Sequence, residues 1–317
     1  MDNARVRREE LSGDAEEASG DAPMRSGALA GLWAALRPTH WMKNLLVLAP
    51  VLFSENLFNP RALSRGAFAF SLFCLVSSSG YLINDVQDLE QDRRHPLKSR
   101  RPLALGRLSV ATALTAAICL LLAGLSGALL LGRAFALSLL AYALVTLAYT
   151  FLLKRQVILD VFAIAAGFVL RAVAGAVAIE VEMSSWLLIC TTLLALFLGF
   201  SKRRSELLLL KGEAGSHRQV LDEYNPLFLD MMIGIVTAST VMSYLLYTIS
   251  EETVRHFQTK NLLLTLPFVL YGIFRYLYLV YHRQRGGDPL ETAFNDPATL
   301  INLLLWTATV TLILYWR

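Results

Sequence analysis

Long apolar runs constrain this chain more than any other feature. Nine stretches, at about 41–58, 66–84, 109–131, 134–153, 157–179, 184–201, 227–249, 261–281 and 298–316, approach the roughly 20 residues that cross a bilayer. With 55% of its 317 residues hydrophobic, the chain is more apolar than an ordinary soluble domain. Backbone groups in lipid must be satisfied internally, which leaves helices or closed barrels. The runs are rich in Leu and Ala and lack the two-residue alternation of barrel strands. The expectation is therefore an all-α, polytopic membrane protein with nine transmembrane helices. The first run is short and opens with polar residues, and the fifth contains Asp160 and Arg171. Small residues cluster in the fifth run, among them Ala163, Gly167, Ala172 and Gly175. They permit close helix packing, which puts this span in the bundle centre.

Residues 1–30 are rich in charge, Gly, Ala and Ser with no apolar core. They read as part of a disordered cytoplasmic tail over 1–36, ahead of one membrane-embedded catalytic domain over 37–317. Most lysines and arginines fall in that tail and in the connections after the second, fourth, sixth and eighth runs. This asymmetry predicts a cytoplasmic N-terminus in the inner (cytoplasmic) cell membrane, with those connections on the same side. The net charge of +4 is explained by topology and by anionic lipid or substrate phosphate, and calls for no nucleic acid partner. Cys74, Cys119 and Cys190 lie inside apolar runs and read as packing residues, not as disulfides or zinc ligands. The sequence is compatible with a homo-oligomer and fixes no oligomeric state.

Chemistry-bearing residues sit at the ends of the runs. Asn84 and Asp85 close the second, and Asp88 and Asp92 follow. On a continuing helix the three aspartates fall at i, i+3 and i+7, on one face. Carboxylates so placed repel one another, and Mg²⁺ shared with a substrate diphosphate relieves the repulsion. A solvated helix end is the plainer alternative. Arg93, Arg94, Lys98, Arg100 and Arg101 follow directly and suit further phosphate oxygens. Tyr149 and Lys154 close the fourth run, where they could hold a phosphate or act as an interfacial aromatic with a snorkelling cation. Arg171 lies deep in the fifth run and needs either a carboxylate from another helix or a bound phosphate. Lys202, Arg203 and Arg204 with Glu206 close the sixth run; a positive-inside anchor accounts for the cations but not for Glu206. Arg37, Trp41, Lys43 and Asn44 open the first run, and Lys43 and Asn44 enter the membrane, where they need partners. Turn and cap residues suffice to explain 286–289 and 295–297.

With these motifs in place, the chain resembles the UbiA superfamily of intramembrane prenyltransferases. That family has nine helices and a first motif Asn-Asp-x-x-Asp-x-x-x-Asp, matched by Asn84, Asp85, Asp88 and Asp92. Its Tyr-x-x-x-Lys motif is approximated by Tyr149 and Lys154, with one extra intervening residue. The second aspartate motif expected after the sixth helix is replaced by Lys202, Arg203, Arg204 and Glu206. A branch whose members transfer 5-phosphoribose from phosphoribosyl pyrophosphate to a polyprenyl phosphate, namely decaprenyl phosphate, is more similar over about 36–212. The resemblance rests on Arg37-Pro38, Lys43-Asn44, Asn84-Asp85-Val86, Arg101-Pro102, Leu170-Arg171-Ala172 and Lys202-Arg203 with Glu206-Leu207.

The resemblance implies an Mg²⁺-dependent phosphoribosyltransferase whose metal ligands are Asp85, Asp88 and Asp92, with Asn84 beside them. The substrate-binding set it implies is Lys43, Asn44, Arg101, Tyr149, Lys154, Arg171, Lys202, Arg203 and Glu206. The product would serve as a cell-wall arabinan precursor or feed another glycolipid. An aromatic prenyltransferase of the same superfamily using a prenyl diphosphate is the alternative, and a non-enzymatic lipid or anion transporter is a further one.

Overall fold

The computed structural model describes residues 23–209, 219–282 and 295–316, and all its regular structure is helical. Helix α1 (Pro23–Ala35) is followed by a 3₁₀ segment (Pro38–Leu48) and short α2 (Ala49–Phe53). The long helices are α3 (Pro60–Gln87), α5 (Val110–Ala128), α6 (Arg133–Phe151), α7 (Leu159–Ala178), α8 (Ser185–Leu209), α9 (Pro226–Ile249), α11 (Leu266–His282) and α12 (Pro297–Tyr315). Short α4 (Leu89–Arg94) and α10 (Glu251–Phe257) lie between them. Among the described residues, eight helical segments are long and apolar enough to cross a membrane. The chain is a multi-pass membrane protein.

Side-chain caps start several of these helices. Asn59, Asn225 and Asp296 each place a side-chain oxygen on the first-turn N–H groups with proline next in line, and Ser109 caps α5 through the Thr112 N–H. Asp296 also accepts two bonds from Arg275 of α11, at 2.7 and 2.9 Å. Those bonds hold the Asp296 carboxyl below the usual carboxylate range. An Asp296→Ala variant loses the cap and strands Arg275. The expected cost is about 1 kcal/mol or more, read as a lower apparent melting temperature of the detergent-solubilised protein.

The first apolar run departs from expectation. It forms no span-length α-helix but an 11-residue 3₁₀ segment and the 5-residue α2. At about 2.0 and 1.5 Å rise per residue, these together reach about 30 Å, the hydrocarbon thickness. Their two ends meet opposite ends of the bundle. Arg37 bonds Asp85 at 2.5 Å, and the Leu57 N–H bonds Tyr315 Oη at 3.0 Å. The reason for the thin helix lies in its neighbour. A Cβ on Gly175 of α7 would sit 2.1 Å from the Val47 carbonyl oxygen, so the two backbones touch. Helix α7 is therefore central, as its small residues predict. In its apolar window 56% of residues are buried, against 11% in α12.

Two more differences follow from packing. Residues 23–35, assigned by composition to the disordered tail, form α1. Its Ala35, with Leu32 and Leu36, packs on Leu82, Leu103 and Leu108. The aspartate run is not one continuous helix either. α3 stops at Gln87, Asp88 adopts φ −97 and ψ 8, and α4 restarts at Leu89. The segment 286–289 lies outside the described residues.

Candidate active site

A cavity of about 320 Å³ opens at the end of the bundle where α3, α6, α7 and α8 converge with the residues of α4. That volume suits a small-molecule substrate. Its walls gather most of the residues singled out in the sequence. Asn84, Asp88 and Asp92 come from the α3–α4 break, and Lys43 and Arg101 from flanking segments. Tyr149 and Lys154 come from the end of α6, Arg171 from α7, and Lys202 and Glu206 from α8.

The carboxylates are each met by a cation. Arg37 and Arg101 share Asp85 Oδ1, at 2.5 and 3.0 Å. Arg101 also bonds Asp92, and Lys154 bonds Asp88, which in turn accepts from Asn84 Nδ2 at 3.1 Å. Asp85 and Asp92 are buried. Burial pushes the Asp92 carboxyl above its ordinary range, against the opposing pull of the Arg101 and Lys98 charges. No three His, Cys, Asp or Glu side chains are grouped closely enough to enclose one ion among the described residues. Even so, Asp85 Oδ2 is buried with no hydrogen-bond partner among them. A buried carboxylate oxygen left in that state suits a hard cation, and Asp88 and Asp92 line the cavity to which Arg37 and Arg101 connect Asp85.

Three candidates lie behind the wall. Asp85 reaches the cavity through Arg37 and Arg101, which line it. Asn44 is buried between α3 and α7, where its amide donates to Ser77 Oγ at 3.1 Å and accepts from Arg171 Nε at 2.8 Å. Among the described residues, Arg171 pairs with no carboxylate of another helix. Its remaining bonds go to the Gly167 carbonyl and to Tyr142 Oη, at 2.8 and 2.7 Å, and its guanidinium lies over the Tyr142 ring. The third, Arg203, is fully buried. It bonds Asp160 at 2.6 Å, Glu206, and Tyr149 Oη at 3.4 Å.

Sequence reasoning gave no site role to Arg37, Tyr142 or Asp160. Arg37 carried a signal, standing directly before Pro38 at the head of the first run. Tyr142 carried none, because a tyrosine inside an apolar run looks like any core aromatic. Asp160 was visible as a charge in a span, and its partner Arg203 lies 43 residues away.

Known proteins share this architecture. The sequence profile of the UbiA prenyltransferase family matches residues 27–294. A decaprenyl-phosphate phosphoribosyltransferase of Corynebacterium glutamicum is 35% identical over 90% of this chain and 87% of its own length. The enzyme of the same name from Mycolicibacterium smegmatis is 33% identical over 95% and 98%. Among solved structures, a UbiA homologue from Archaeoglobus fulgidus bound to DMAPP and Mg²⁺ superposes with a TM-score of 0.67 at 20% identity, covering 90% of this chain and 99% of that one. A digeranylgeranylglyceryl phosphate synthase superposes with a TM-score of 0.64 at 16% identity, over 91% and 99%.

Proposed function

This chain belongs to the UbiA prenyltransferase family, and from that premise we propose that it transfers 5-phosphoribose from phosphoribosyl pyrophosphate to a polyprenyl phosphate, decaprenyl phosphate in the first instance. The observation that carries the reading is one cavity walled both by the Asp88 and Asp92 carboxylates and by Lys43, Arg101, Lys154 and Lys202. Both substrates are polyanions, and the relatives at 33–35% identity bear the name of this activity.

In the proposed reaction the bond from ribose C1 to the pyrophosphate oxygen breaks, and a bond from C1 to a phosphate oxygen of the lipid forms. Pyrophosphate departs with the electron pair of the broken bond. The acceptor is already an anionic nucleophile, so no side chain has to remove a proton. Catalysis rests on positioning and on stabilising charge. Asp85, Asp88 and Asp92 would hold Mg²⁺, which when bound supplies neutralisation of the leaving pyrophosphate. Arg37, Arg101 and Lys154, now bonded to those carboxylates, are at hand to bind phosphate oxygens. Lys43 and Lys202 line the same cavity for the remaining phosphates. Arg171, bonded to Asn44 and Tyr142, fixes the floor where three elements meet. The lipid tail would lie along the apolar bundle. The aspartate-bearing end would face the cytoplasm, because the arginine-rich connections lie at that end of the bundle.

The test is incubation of the purified protein with phosphoribosyl pyrophosphate, Mg²⁺ and decaprenyl phosphate, with mass spectrometry of the lipids. Lipid-linked phosphoribose is expected, and chelation of divalent cations should abolish it. Absence of that product, or prenylation of an aromatic acceptor from a prenyl diphosphate in its place, would refute the proposal.

A further inference from the structure

A carboxylate on the wall of a cavity for polyanions requires a reason. Glu206 lines the cavity beside Lys202 and Tyr149. Phosphate oxygens accept hydrogen bonds and repel a carboxylate, so Glu206 opposes the binding of every phosphate in either substrate. The neutral hydroxyl groups of a pentose do the reverse. They are donors, adjacent hydroxyls can reach the two oxygens of one carboxylate, and a charged acceptor makes the stronger bond.

The surroundings of Glu206 hold it firmly. Arg203, one turn earlier on α8, bonds Glu206 and, at 2.6 Å, Asp160 near the start of α7. Asp160 and Arg203 are both fully buried, so this arginine is not itself a phosphate ligand. Tyr224 donates to Asp160 at 2.8 Å and accepts the Ile158 N–H at 2.7 Å. Burial pushes its phenol above the ordinary tyrosine range, which keeps it a donor. Ile158 itself has φ 68, a conformation a β-branched residue rarely adopts, and the Tyr224 bond helps to hold it there. Gly199 stands one turn before Arg203. A Cβ there would lie 2.6 Å from Val161 Cγ1, so its absence lets α8 approach α7 closely enough for Arg203 to reach Asp160.

Resting on the function proposed above, we infer that Glu206 is the acceptor for the pentose hydroxyls of the donor substrate, and that Asp160, Arg203 and Tyr224 are positioning residues that aim it. The arrangement selects a sugar donor over a prenyl diphosphate, whose hydrocarbon has no hydroxyl to donate to Glu206 and would cover the Arg203-bonded carboxylate without replacing the water it displaces.

The experiment compares equilibrium binding of ribose 5-phosphate, 2-deoxyribose 5-phosphate and inorganic pyrophosphate to the full-length protein in detergent. The wild type should prefer the ribose compound by about tenfold or more, the size of one hydrogen bond to a charged acceptor. Glu206→Ala should bring that ratio to about one while pyrophosphate binding persists. Glu206→Gln, which retains an acceptor oxygen, should keep part of the preference. Tyr224→Phe should reduce the ratio without touching the cavity wall, and it remains informative if substitutions at Arg203 fail to fold. An undiminished ratio in Glu206→Ala would overturn the inference and leave the phosphoribosyl reading standing. Failure of the wild type to bind any of the three compounds would overturn both.

Discussion

Asp85→Asn is expected to lose about a thousandfold or more in kcat/KM for phosphoribosyl transfer, about 4 kcal/mol of transition-state stabilisation, while the protein still folds. The amide keeps the shape of the carboxylate. It retains an oxygen for Arg37 and Arg101 and puts an N–H₂ where Asp85 Oδ2 now has no partner among the described residues. What disappears is the charge. Both arginines are partly exposed, at 18% and 21% of their side chains, so water takes up much of what they lose. The fold should be weakened by about 1–3 kcal/mol. Steady-state kinetics and thermal unfolding on the same preparation separate the two effects. If activity falls only in proportion to folded protein, Asp85 is structural and the metal site is placed elsewhere.

The second large effect is structural. Gly175→Ala introduces a Cβ 2.1 Å from the Val47 carbonyl oxygen and 2.9 Å from its carbonyl carbon. Overpacking against movable side chains typically costs 1–3 kcal/mol. Here the obstacle is backbone, and neither element can yield without parting α7 from the 3₁₀ segment. That contact also carries the Arg171–Asn44 bond, so separation would loosen the cavity floor. The expected loss is about 3 kcal/mol or more, seen as a sharp drop in apparent melting temperature and in yield. Gly106, with nothing within 4 Å of a Cβ, provides the contrast in packing. Its φ of +72, however, imposes a backbone cost of its own. An unchanged melting temperature for Gly175→Ala would show that the close approach is not needed.

Much of the fold was legible because hydropathy is a local property. Runs of about 20 apolar residues specify helices in lipid wherever they pack, and Asp296, within the 295–297 segment read as a turn and cap, starts α12. The 3₁₀ form of the first run was not legible. Lys43 and Asn44 showed that the run was unusual, but its thin cross-section is set by Gly175, far along the chain. The disordered reading of 23–35 failed for a similar reason. Leu32, Ala35 and Leu36 are too few to mark a buried face until Leu82, Leu103 and Leu108 are brought against them.

For the site, the spacing Asn84, Asp85, Asp88 and Asp92 and the cations of the fourth and sixth runs were enough to infer phosphate chemistry, since charges at the edge of hydrocarbon are costly unless used. Their individual duties were not. Lys154 meets Asp88 across 66 residues of sequence and Arg37 meets Asp85 across 48. Arg203, whose neighbour Lys202 lines the cavity, lies behind the wall, bonded to a buried aspartate and to the wall residue Glu206. Which residue type stands at a helix end is written in the chain, and with it the class of chemistry. Whether that residue faces the ligand or fixes another that does depends on helix rotation and separation, which small residues such as Gly175 and Gly199 set through contacts between distant segments.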